Sequence, residues 1–554
     1  MKLNLLTPGM QARLPLGESS FSSLRASGQI YADKSAMIYR LACTCGKYFL
    51  SRPRRFGKTL LLSAFESLFS TGLKDFKGLA IETLWKEEQT FDVLHLDFSR
   101  LAVFAAAEQF KAKLETRLRV FMLDHPVRES PGMKSLENDL TAKFDNWLGR
   151  RPGRSLVLLI DEYDAPLNAC LDKPELFEEV RKVLQEFYSI IKGNAGALRF
   201  MFFTGICRYR NTGIFSGFNI YEDLTMDPEY ATLLGYTEAE ITHYFGVYLQ
   251  NAARVLELKE EDCLKKLREH YGGFCFDSAA AGAVYAPWSV LNFFKRPAAG
   301  FKNYWYGSGG RPELLVCWLK QQGTGGIVEY GEDLSISFAE LNSVVAPGHG
   351  GAAAGPVALL AQAGYLGIRA VRSDGSGAVL NYPNREIAVS LAVLYRELVF
   401  RDAGNSEYVT GEKIRTVFAG KNAAEIVRHL NRLFLNPDYF NYPLTGEAVL
   451  RTIVQLCLLT SGFDAGIETH NSRERSALEV FMPGCLLVLE FRFARKPDEE
   501  KKFKGDDPKV LLEKAVQQLK ERRYGEQHLG SRELLRLALV FSQKEHRFVE
   551  YRQL

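Results

Sequence analysis

The sequence has no apolar run of the ~18 residues needed to cross a bilayer, and its first twenty residues, MKLNLLTPGMQARLPLGESS, lack the apolar stretch of a secretory signal. It has little cysteine for its size: nine residues, scattered and odd in number, with only Cys43 and Cys45 close together. That pattern excludes a disulfide framework and leaves a C-x-C without the second pair that a zinc site needs. No G-x-S-x-G, H-E-x-x-H or paired C-x-x-C occurs, so a hydrolase triad and zinc chemistry have no support. Bulk charge is also missing. The formal net charge is +4 over 554 residues, so a nucleic-acid site would have to be a local patch. These absences point to a cytoplasmic protein with reduced thiols and no membrane anchor.

What remains is ordinary globular composition, 46% hydrophobic and 25% charged, with length enough for two to four domains. The first stretch reads as a domain over 1–225. The apolar segments KYFLS, VLHLDFS (93–99), SLVLLIDEYDAP (155–166) and ALRFMFFTG (197–205) alternate with helical patterns. Short apolar strands alternating with helices predict a parallel sheet covered on both faces. From 226 the pattern turns helical, with Thr237 and Glu240 at capping-box spacing and aromatics dense around 271–277, 285–289 and 304–310. This middle domain is placed at 226–404, with the Gly/Ala segment 346–356 as a linker or tip. The last domain, 405–554, shows helices, two strands (476–481 and 485–495) joined by a Met482-Pro483-Gly484 turn, a helix and a further strand, LRLALVF.

The chemistry starts at Phe49–Phe69, FLSRPRRFGKTLLLSAFESLF. Gly57-Lys58-Thr59 follow an apolar strand and open an apolar helix, the setting of a phosphate-binding loop. A helix N-terminus offers unpaired N–H groups and a positive dipole end. Lys58 would neutralise β/γ-phosphate charge, the Thr59 hydroxyl would ligate Mg²⁺, and Gly57 lets the backbone approach closely. The usual first glycine is absent: position 52 is Arg, followed by Pro53, Arg54 and Arg55. Pro fixes φ and removes an N–H, so the front of the loop must differ in shape. The expected nucleotide contacts are therefore Arg52, Arg54, Arg55, Phe56, Gly57, Lys58, Thr59 and Leu60. About 100 residues on, LVLLIDEYD ends a buried strand in Asp161, which would hold Mg²⁺ with Thr59, and Glu162, which would polarise the attacking water. Thr204 ends the next strand and could touch γ-phosphate or that water; Arg208 could reach the same phosphate.

The motifs YADKSAMI (31–38), FLSRPRRFGKTLLLSAFESLF, KGLAI (77–81), VLHLDFS, LIDEYDAPL, FFTGICRYRNTGIFSGFNIYEDLT (202–225), GYTEAEI, YGGFCFD, YAPWSVLNFF, YWYGSG and AGYLGI together resemble the bacterial AAA-ATPase-like family, whose members usually carry a C-terminal domain of the PD-(D/E)XK nuclease superfamily. The resemblance spans most of the chain. It makes Arg52 a family trait, and it implies a P-loop NTPase sheet, a helical lid or middle domain, and a restriction-endonuclease-like α/β domain, with ATP and Mg²⁺ as cofactors. In the last domain the expected pattern is E…GRxD…ExK…Q…Y. Glu468 fits the helical acid and Arg475 the Arg of GRxD, but the Asp position is Ala477. Glu490 fits ExK, but the Lys position is Arg492, which cannot deprotonate and directs its hydrogen bonds as a planar fork. Glu479 could replace the lost acid, and Gln517 and Tyr524 fit the later helix. This is the frame of a nuclease with a degenerate site. His470 lies near it and could assist a metal there. Three readings stay open: an ATPase coupled to a nuclease-like domain, a slow nucleotide switch that controls assembly or a protein partner, and an ATP-regulated DNA or RNA nuclease. Homo-oligomerisation is compatible with each.

Overall fold

A computed structural model describes residues 12–127, 140–206, 208–209, 221–308, 316, 333–342, 356–399, 411–435, 437, 439, 444–469, 475–497, 503–526, 530 and 532–554. His470 and residues 346–355 of the Gly/Ala segment lie outside them. The chain divides into two compact units: Met1–Cys317 with Leu334–Glu386, and Trp318–Asp333 with Ile387–Leu554.

The first unit is built on five strands, β1 (Lys47–Ser51), β2 (Asp92–Asp97), β3 (Leu156–Asp161), β4 (Leu198–Gly205) and β5 (Glu222–Asp223), in the order β2-β3-β4-β1-β5. Every neighbouring pair runs parallel. All residues of β3 and β4 are buried, as a strand covered on both faces requires. Alternation along β4 divides its phenylalanines between the faces. Phe200 and Phe202 meet Phe65 of the Lys58–Thr71 helix. Phe203 points the other way, towards Tyr188 of the Pro174–Gly193 helix. That second helix buries Phe177, Val180, Leu184, Phe187, Tyr188 and Ile191, an i, i+3/i+4 stripe.

Residues 226–386 add the helices Glu238–Val255, Glu260–Tyr271 and Pro287–Lys295, which share one aromatic core through Phe245, Tyr271, Phe293 and Phe294. The capping box at Thr237 and Glu240 is present. This stretch also holds a three-stranded antiparallel sheet that the sequence reading lacked: β6 (Leu334–Ser337), β7 (Gly367–Val371) and β8 (Gly377–Asn381), in the order β6-β8-β7. Strands of four or five residues, two of them opened by glycine, carry too few alternations to be read by period.

The second unit carries a mixed five-stranded sheet, β13-β12-β11-β10-β9. Its strands are β9 (Asp464–Thr469), β10 (Arg475–Met482), β11 (Cys485–Ala494), β12 (Glu533–Ser542) and β13 (Arg547–Gln553). The β10–β11 hairpin closes at Met482 opposite Cys485 with Gly484 at φ 70°. β11 and β12 are parallel, and the Pro508–Arg522 helix lies between them in sequence, as a parallel crossover demands.

At the end of the first unit Glu386 is fully buried and accepts N–H bonds from Tyr304 (2.6 Å) and Trp305 (2.9 Å). Burial pushes its carboxyl up from 4.5 to about 7, against the two amides, which pull it down. A raised folded pKa means the folded chain holds this proton more tightly than the unfolded one. Its contribution is full below pH ~4.5 and is lost as pH rises through ~7, by about 3 kcal/mol. Urea unfolding of the first unit should thus weaken from pH 5 to pH 8 in the wild type and weaken less in Glu386→Gln; parallel profiles would remove the assignment.

Candidate nucleotide site

Three strand ends meet at one point of the first sheet. Because β4 lies between β1 and β3, Thr204 at its tip reaches Asp161 at the tip of β3: the Thr204 hydroxyl donates to Asp161 Oδ1 at 2.8 Å. From the other side the Thr59 hydroxyl donates to Asp161 Oδ2 at 2.6 Å. The N–H of Glu162 also donates to Oδ1, at 3.1 Å. Asp161, Thr59 and Thr204, predicted from separate motifs, thus share one carboxylate. Glu162 itself is held at φ 49°, a left-handed conformation costly for a side chain with a Cβ. It is half-buried, and desolvation raises its carboxyl above the usual range, while Lys58 works against that shift. Gly205 is needed beside it, since a Cβ there would stand 2.6 Å from the Tyr163 ring.

The loop itself runs from Ser51 to Gly57, which takes φ 96° as the residue before the Lys58–Thr71 helix. Lys58 is buried and folds back: its ammonium donates to the carbonyls of Arg52 and Pro53, each at 3.0 Å. Burial lowers its pKa, and the charges of Glu162, Asp161 and Asp164 oppose the shift. Arg54 is the arginine whose charge acts on both Lys58 and Glu162.

The remaining loop residues do something the sequence did not suggest. Each of residues 52–56 is gripped by the stretch that follows the sheet. Arg52 is buried, donates to the carbonyls of Thr225 (2.8 Å) and Tyr230 (3.3 Å), and lies over the Phe276 ring at 4.3 Å. Pro53 fits against Gly364, where a Cβ would come within 2.5 Å of the proline ring. The Arg54 carbonyl accepts from the Trp305 indole at 3.3 Å. Arg55 lies over Trp288 at 4.8 Å. Phe56 meets Phe274 and Phe276 edge-on. Arg52 and Arg55 are thus turned into packing rather than into the Asp161 cluster. Arg208 is also outside that cluster, buried 3.8 Å from Asp223 and hydrogen-bonded to Asn342. Leu60 and Gly57 line a separate cavity of about 550 Å³, counting the space at its mouth, with Ile30, Tyr31 and Leu234.

In the second unit Ala477 faces Glu490 directly across β10–β11, and Glu479 is opposite Val488 on the same face. Arg492 donates to Glu490 at 2.6 Å and comes within 3.5 Å of Glu447. Two sequence assignments change here. Glu468 is not on a helix: the Glu447–Thr460 helix stops before Gly462 at φ 87°, and Glu468 lies on β9. The helical acid near Arg492 is Glu447. Gln517 points outward and bonds Glu521, whereas Gln518, one residue and about 100° around the helix, bonds Arg492 and the Tyr524 hydroxyl. Among the described residues no three His, Cys, Asp or Glu side chains converge as metal ligands.

Residues 15–215 match the family model described as predicted AAA-ATPase, an AAA-ATPase-like family. The match covers β1 to β4 of the parallel sheet and the loop before Lys58, supports a nucleotide-binding ATPase, and does not reach the second unit. A protein of Azotobacter chroococcum mcd 1, named "Uncharacterized protein in vnfD 5'region", is 26% identical over 553 residues, 97% of this chain and 98% of its own length. Among the described residues no helix is long and apolar enough to cross a membrane.

Gly364→Ala should cost about 1–2 kcal/mol through its φ of 86° and about 1–3 kcal/mol more through overlap with Pro53. Gly375→Ala, at φ 69° with nothing within 4 Å, should cost only the backbone part. Urea unfolding of the two variants measures the difference, and equal losses would mean that the loop does not depend on this contact.

Proposed function

We propose that this protein binds ATP with Mg²⁺ at the Gly57–Thr59 loop, hydrolyses it, and uses the nucleotide state to act on a nuclease-like second unit. One observation carries the reading: the Asp161 carboxylate receives the Thr59 and Thr204 hydroxyls, so three side chains suited to a metal-bound triphosphate converge at the N-terminus of one helix. The oxygen donors fit Mg²⁺, which prefers carboxylate and hydroxyl oxygens; Thr59 and Asp161 would hold it. When bound, the ion would offset phosphate charge. The chain's own residues do the rest. The helix N–H groups and Lys58 hold β/γ-phosphate once Lys58 releases the Arg52 and Pro53 carbonyls. Arg54 stands close enough to add charge. Glu162 takes a proton from the attacking water, and Thr204 keeps Asp161 in place. The cavity behind Gly57 has the apolar lining a nucleobase takes.

Lys58→Ala should abolish ATP binding, and Glu162→Gln should keep binding while lowering turnover by about 10²–10⁴-fold. Normal ATP binding by Lys58→Ala would move the site elsewhere. Because Glu162 must be ionised to act and its pKa is raised, turnover should fall on acidification at a higher pH than an ordinary carboxylate predicts.

A second reading is favoured by the state of the loop. Lys58 is satisfied by loop carbonyls and Thr59 by Asp161, so ATP must displace existing bonds. That suits a slow switch controlling assembly or a partner. Turnover far below ~1 s⁻¹ with tight ATP binding would select it, and stimulation by DNA or RNA would identify a polymer ligand.

For the second unit we propose a nuclease-like frame whose metal site is closed. Ala477 stands where an acid would face Glu490, and Arg492 neutralises Glu490. The wild type should not cleave DNA or RNA with Mg²⁺ or Mn²⁺. The double variant Ala477→Asp/Arg492→Lys should gain Mn²⁺ binding by calorimetry; no gain would count against the frame.

A further inference from the structure

We propose that Asp164, together with the Tyr163 hydroxyl, positions Glu162 for its work by tying the acid turn after β3 to the stretch after β4. The role rests on the ATP hydrolysis proposed above, in which neither residue had a part. Glu162 occupies its left-handed backbone conformation at φ 49°, and such a conformation persists only where the surroundings over-determine it. Within the turn the Ala165 N–H returns to the Glu162 carbonyl, and the Tyr163 N–H reaches the Thr204 carbonyl on β4, each at 2.9 Å.

The side chains supply the remaining hold. Asp164 is 1% exposed. It precedes the short Ala165–Asn168 helix, where an aspartate ordinarily caps the first N–H groups, yet it makes no such cap. Its Oδ2 instead accepts the Ile206 N–H and the Asn168 carboxamide N–H, each at 3.1 Å. The Tyr163 hydroxyl accepts the Tyr209 N–H at 2.9 Å, and the Tyr209 hydroxyl donates to Asn168 Oδ1. A Cβ on Gly205 would stand 2.7 Å from Asp164 Oδ1, so the two segments meet this closely only at a glycine. Residues 205 and 206 are held from the other side by the nucleotide loop: the Arg52 N–H donates to the Gly205 carbonyl at 3.2 Å, and the Ser51 hydroxyl to the Ile206 carbonyl at 2.6 Å. The turn that carries Glu162 is thus joined through one shared stretch to the loop that precedes Lys58. A carboxylate that takes a proton from water acts only at hydrogen-bond distance, and a displacement of ~1 Å can cost ~10²-fold in rate. Without Asp164, Glu162 is free to leave its costly conformation, while Lys58 and Thr59 keep their place at the start of their own helix.

Steady-state ATP turnover and calorimetric ATP binding by the full-length protein test this, with Glu162→Gln measured alongside. Asp164→Ala should lower kcat at least about tenfold and leave ATP affinity within about threefold of the wild type, a split that a general loss of structure would not give. Asp164→Asn, whose carboxamide oxygen can still accept the Ile206 N–H, should keep kcat within about threefold of the wild type. Should Asp164→Ala fail to fold, Tyr163→Phe keeps the ring and removes the hydroxyl that meets Tyr209; it should lower kcat at least about threefold with ATP affinity unchanged. A wild-type rate in Asp164→Ala or in Tyr163→Phe, while Glu162→Gln is slow, would overturn the tether and leave the ATPase standing. Equal losses in Asp164→Ala and Asp164→Asn would assign the effect to charge and remove the hydrogen bond from the account. Affinity falling in step with kcat would reduce Asp164 to a structural residue. No turnover by the wild type, or turnover untouched by Glu162→Gln, would instead sink the ATPase reading, and the tether with it.

Discussion

The structure depends on how a phosphate loop with no glycine before Gly57 is kept in shape. Glycine-rich loops follow the phosphates because their backbone is free to turn. Here Pro53 fixes one φ, and Arg55 sits at φ 67° against the preference of a side chain with a Cβ. The stabilisation comes from outside the loop. Carbonyls of Thr225 and Tyr230, the Trp305 indole, the Trp288 and Phe276 rings and the bare backbone of Gly364 hold residues 52–56 one after another. Arginine and proline at these positions are anchors, and the residues after the sheet shape the candidate site by holding its loop.

That division of labour explains what could be read from sequence. The parallel sheet was legible because KYFLS, VLHLD, LVLLID and LRFMFFTG are dense apolar runs, and a buried strand has no other composition available. Asp161, Glu162 and Thr204 were legible because they stand at the ends of such runs, where a parallel sheet gathers its strand tips, and Lys58 and Thr59 because they follow Gly57 where the loop after KYFLS opens an apolar helix. The clasp was not legible. Trp305 and Gly364 act on Arg54 and Pro53 across hundreds of residues, and no local period records such a pairing. The small antiparallel sheet escaped for the opposite reason: its strands are too short to show alternation.

The second unit shows how small errors arise in reading a polar cluster. Gln517 and Gln518 are equivalent by composition, and only the helix phase, fixed by the buried Leu512, Ala515, Val516 and Leu519, decides which one meets Arg492. Glu468 matches the helical acid only by its order in the family pattern, whereas the helix that carries an acid near Arg492 ends at Thr460 and Glu468 follows on β9. The pairing of Ala477 with Glu490 could be inferred, since alternation and a tight hairpin fix register once the turn at Gly484 is known.

The grip on the loop also has a consequence in time. The Trp305–Arg54 contact closes a separation of 251 residues, and Gly364 lies further still along the chain. A ribosome delivers the sheet, the Lys58–Thr71 helix and Asp161 long before it delivers these anchors. Non-local contacts of this kind form late, after the entropy of closing the intervening chain has been met. The nascent protein therefore owns the Lys58, Thr59 and Asp161 side chains well before it owns the clasp that shapes the loop beside them, and the loop takes its final form only with the synthesis of a segment far along the chain.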